Sequence, residues 1–164
     1  MKRLFLLGMP FMLLCCAVSN AQMSSSNKAA ENGAKNPSAI PDSVAYRLWF
    51  TRLGHALDNE ANNPGITAVT LLQTGLSETD QSVVRGEIMS WWTNYQKIVA
   101  DYHAKVVANA VTPTVYAAYK QSVVDLTMTT AQSIKTSLSQ DGATRFYAFI
   151  QSEKQNISMD AGVR

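Results

Sequence analysis

The chain has 164 residues and 14 Lys plus Arg against 12 Asp plus Glu. Its basic excess is Lys2 and Arg3 alone, so the rest of the chain is charge-balanced and offers no net electrostatic footprint for nucleic acid or an anionic membrane surface. The only cysteines, Cys15 and Cys16, fall in the first apolar run, which leaves residues 22–164 without a disulfide, a thiol nucleophile or a cysteine metal ligand.

Lys2 and Arg3 precede an apolar run from Leu4 to Val18, broken by Gly8 and Pro10, and Ser19-Asn20-Ala21 places small residues around a cut. Residues 1–21 read as a secretory signal peptide cleaved before Gln22, which predicts an exported protein, periplasmic or secreted. A retained anchor would need about 20 continuous apolar residues, so no stable membrane insertion is expected after cleavage. Residues 22–40 are Ser, Asn, Lys, Ala and Gly without apolar periodicity and read as a disordered linker.

Residues 41–158 read as a helical bundle domain. Pro41-Asp42-Ser43 opens a first helix with Tyr46, Trp49, Phe50, Leu53 and Leu57 at helical spacing, ending near Asn62-Asn63-Pro64-Gly65. Ile66 to Gln73 is a brief helix or an ordered connection. Ser77 then caps a second helix, with Asp80 at the capping-box position and Leu76 as a staple. Val84, Ile88, Trp91, Tyr95, Ile98 and Tyr102 follow at alternating spacings of four and three, and Trp92, Val99 and Val106 form a parallel row every seven residues. A stripe that wide suits a helix with two neighbours. If it continues to Val111 the helix is about 50 Å long.

Thr112-Pro113 caps a third helix along Tyr116, Tyr119, Val123, Leu126, Ile134 and Leu138. Leu138-Ser139 repeats the staple and cap ahead of a fourth, with Phe146, Phe149, Ile150 and Ile157 inward, and residues 159–164 read as a frayed tail. No stretch alternates with period two. The predicted fold is all-α: an elongated bundle of about four helices built on a long central antiparallel hairpin.

Catalytic signatures are missing from the sequence. It has no HExxH, no GxSxG elbow and no glycine-rich phosphate loop, so no enzyme activity and no cofactor are expected. His55 with Asp58 three residues on is the weak candidate for a metal; a surface histidine is the plainer reading. Trp92, Val99 and Val106, with Tyr116 or Tyr119 opposite, are the candidate lining of an exposed apolar groove.

Two helices that start with Leu-Ser, at Leu76-Ser77 and Leu138-Ser139, in a small exported helical protein resemble the periplasmic LTxxQ family, the Spy and CpxP-like proteins. The resemblance covers Leu76 to about Ile157 and implies a hairpin-based cradle acting as an ATP-independent chaperone or stress-sensing adaptor. The chain departs from that pattern: serine replaces threonine, Asp80 stands in the glutamine position with Gln81 one place late, and Gly142 occupies the second glutamine position. The expected function is that of an exported, chaperone-like binding protein whose partner is unfolded polypeptide or an envelope protein. The alternatives are a structural, self-assembling protein, with a homodimer through the second helix, and a metal or small-ligand binder.

Overall fold

A computed structural model describes residues 31–159. The expected signal peptide, residues 22–30 of the expected linker and residues 160–164 of the expected tail lie outside the described residues.

Among the described residues there are five α-helices: α1 Asp42–Asp58, α2 Pro64–Leu72, α3 Glu78–Val107, α4 Pro113–Ser137 and α5 Gln140–Glu153. The all-α bundle is as the periodicity predicts. The Ile66–Gln73 stretch resolves into a helix, and α3 ends at Val107, four residues before the expected limit. There Asn109 turns the chain with φ 52°, and the Ala110 N–H donates to the Lys105 carbonyl. Left-handed backbone of this kind is tolerated by asparagine and closes a helix end.

Helices α3 and α4 form an antiparallel hairpin, with Ser133 donating to Glu87 at one end and Tyr102 stacked on Tyr119 toward the other. Helix α1 runs antiparallel to α3: Phe50 meets Trp91, Gly54 meets Trp92, and Glu60, just past α1, accepts from both terminal guanidinium nitrogens of Arg85. The core lies where α1, α3, α4 and α5 converge. Phe50, Leu53, Val84, Ile88, Ile134 and Ile150 are all fully buried there. Trp49 sits among Phe50, Phe146 and Phe149 with ring centroids 5.2–6.0 Å away, in edge-on geometries that suit the aromatic quadrupole.

Helix α2 packs on the core through Leu71 and two threonines. Thr67 and Thr70 are buried, while Ile66, Val69 and Leu72 are 52–66% exposed. The inward Thr70 hydroxyl is satisfied within the helix, donating to the Ile66 carbonyl, which removes most of the cost of burying it.

Two helix N-termini share one carboxylate. Ser77 caps α3 by accepting from the Asp80 N–H, and Ser139 caps α5 by accepting from the Gly142 N–H. The Asp80 carboxylate in turn accepts from the Ser77 hydroxyl, the Ser139 hydroxyl at 2.8 Å and the Ser139 N–H at 3.0 Å. A side chain on residue 142 would run into that carboxylate, so only glycine fits there.

The chain before α1 is built onto the domain. Glu31–Asn32 (β1) pairs antiparallel with Ser158–Met159 (β2), Gly33 donates to the Ile157 carbonyl, and Ile40 is fully buried. The described part of the expected linker is thus in contact with the far end of the chain, as is Met159 of the expected tail. The nearly buried Lys154 side chain closes this corner with an ion pair to Asp42. That pair holds the Asp42 carboxyl below its usual range.

Candidate functional site

The best-formed apolar concavity lies where the start of α1 passes α4. Pro41 fixes the entry to α1, and its carbonyl accepts from the Val44 and Ala45 N–H groups, so the first turn presents Val44 and Arg47 to one side. Tyr119, Lys120, Val123 and Val124 of α4 form the facing wall, and Ala39 and Met159 close the ends. The groove encloses about 480 Å³ and opens to solvent. That is within the usual range for ligand sites. Its described lining is mostly apolar, with two cations, Arg47 and Lys120, and the hydroxyls of Ser43 and Tyr119.

Tyr119 ties this groove to the core. It lies close to Tyr95, whose ring stacks on Trp91 at 4.8 Å, and its own ring stacks on Tyr102 at 4.3 Å. Partial burial, with Tyr95 close by, raises the Tyr119 pKa above the ordinary phenol value. Tyr46, on the core side of α1, is pushed up to about 12 by burial.

Of the five residues expected to share a groove, Tyr119 alone lines this one. Trp92 is half-buried between the helices: its ring covers Gly54, and the His55 ring stands edge-on to it at 6.3 Å. Val99 is half-buried farther along α3, and Val106 and Tyr116, each 47% exposed, lie toward the hairpin turn. A residue at 54 larger than glycine would strike the Trp92 ring at about 2.9 Å. Gly54→Val is therefore expected to cost about 1–3 kcal/mol by overpacking, read as a lowered urea midpoint.

His55 is exposed and lies 3.5 Å from the Asn59 amide, and Asp58 is also exposed. Among the described residues no group of three or more His, Cys, Asp or Glu side chains converges to hold a metal ion, and no helix is long and apolar enough to cross a membrane.

The sequence missed Ala39, Pro41, Val44, Val124 and Met159 as groove residues. They come from three separate stretches, and only Val124, beside the predicted stripe residue Val123, had a local signal.

No family model matches the chain, and neither the curated proteins nor the solved structures contain a match to it.

Proposed function

We propose that the protein is an exported, non-enzymatic binding protein that holds a short apolar stretch of polypeptide in the groove between α1 and α4. The observation that carries this reading is the groove itself. It is an open, apolar concavity of about 480 Å³ whose only charged lining residues are Arg47 and Lys120. A volume of that size accepts two or three large apolar side chains, and the flanking cations favour segments that also carry a carboxylate. Export rests on the basic start, apolar run and small-residue cut of the first 21 residues. The two Leu-Ser helix starts support a chaperone-like role by their likeness to the LTxxQ family, and in this fold both meet at Asp80.

The test is aggregation of a reduced, denatured client with and without the purified protein. Suppression near equimolar ratio is expected, together with its loss in Val124→Glu, which puts a charge into the groove at a position already 38% exposed. Wild-type protein that leaves aggregation unchanged removes this reading.

The outward Ile66, Val69 and Leu72 of α2 favour a second reading, self-assembly through that face. Light scattering separates the two: an oligomer that dissociates in Val69→Lys supports assembly.

A further inference from the structure

We propose that the turn of the α3–α4 hairpin is a docking tip for the surface of an anionic phospholipid bilayer, a role beyond that of the groove, with which it shares Tyr119 and Lys120. The tip is apolar where a turn between helices is ordinarily polar: Val107 is 73% exposed, Val106 47% and Val111 39%, with Ala108 and Ala110 exposed between them. Tyr102, Tyr116 and Tyr119 cluster between the two helices one to two turns back, with Tyr102 stacked on Tyr119 and tilted against Tyr116. Tyr102 precedes Val107 by five residues, about 7.5 Å along a helix, which matches the depth of roughly 5–10 Å to which interfacial segments bury their apolar side. Tyrosine at that height is the residue that prefers the headgroup layer.

Charge points to the same partner. From Tyr102 to Val124 the sequence has no Asp or Glu, while it has Lys105, Lys120 and His103. Lys105 is exposed in the last turn of α3, two residues from Val107, and the Lys120 ammonium lies 5.3 Å from the centre of the Tyr116 ring. The flanking carboxylates, Asp101 and Asp125, lie farther along their helices from the turn than Lys105, so the apex itself carries Lys105 as its charge. A second copy of the chain would meet the same cations on its own tip, whereas a bilayer with anionic headgroups complements them and takes the valines below.

The experiment is co-sedimentation of the purified protein with vesicles of phosphatidylcholine alone and with about one part in three phosphatidylglycerol, at low and physiological salt. Binding to the anionic vesicles is expected, with little to the neutral ones, weakened by salt and by Lys105→Glu. Val107→Asp is expected to reduce it about tenfold or more. Because Val107 is largely exposed, that variant should keep the wild-type helicity and unfolding midpoint. No binding to either vesicle overturns the proposal. So does binding that Val107→Asp leaves unchanged, and so does a dimer that Val107→Asp dissociates without any vesicle binding.

Discussion

Trp49→Ala is expected to lower stability by about 3–5 kcal/mol, the cost of removing a large aromatic from a closed core. Domains of this size are stable by about 5–15 kcal/mol, so the variant should stand near the edge of folding. The reason is position as well as size. Trp49 is 2% exposed and lies between Phe50 on its own helix and Phe146 and Phe149 on α5, so its loss opens a cavity at the joint between the two helices. The indole Nε1 has no hydrogen-bond partner among the described residues, and shape therefore dominates its contribution. Trp49→Phe keeps most of the aromatic contact and should cost much less. Urea unfolding checks both, and a Trp49→Ala loss below about 1 kcal/mol would mean that α5 does not depend on this ring.

The second large effect concerns Asp80 and acid. The Ser139 N–H, then the Ser139 hydroxyl, then the Ser77 hydroxyl hold its carboxyl below the usual value of 3.8. A carboxyl with a lowered folded-state pKa stabilises the fold above its unfolded-state pKa, and that contribution disappears as pH falls through the folded value. Asp42, lowered chiefly by its hydrogen bond from Lys154, acts in the same direction. The urea midpoint should therefore fall between neutral pH and about pH 3. Asp80→Asn should lower the midpoint at neutral pH, because an amide nitrogen cannot accept the bonds that one carboxylate oxygen receives from both serine hydroxyls. The variant should also show a shallower acid decline than the wild type. Equal acid declines in the two proteins would show that the junction of α3 and α5 does not depend on the ionised carboxylate.

Much of the architecture was legible because its causes are local. The seam through Val84, Ile88 and Trp91, and the caps at Ser77, Thr112 and Ser139, each depend on residues within two turns, and each appears where the spacing predicts. Asp80 was read as a local box residue, but its bonds to Ser139 span 59 residues and have no sequence signature. The same limit applied to Trp92. Spacing put it on a row beside the seam, and only the approach of α1 at Gly54 decides that its ring is partly covered. The sequence leaves α2 as a brief helix or an ordered connection, and the choice stays open because Thr67 and Thr70 face inward with Leu71 while Ile66, Val69 and Leu72 face out. The groove was the least legible feature, since its walls come from the approach to and first turns of α1, the middle of α4 and Met159.

The β1–β2 pair joins the two ends of the described fold into a nearly closed ring, with Glu31 opposite Met159. A pull applied between those ends would load that two-residue ladder and the Lys154–Asp42 clasp before any helix of the bundle felt it. Those fastenings are few, and the hairpin carrying the valine tip lies off the line of force. A domain held at both of these ends would lose its end seam under tension while keeping its helical body.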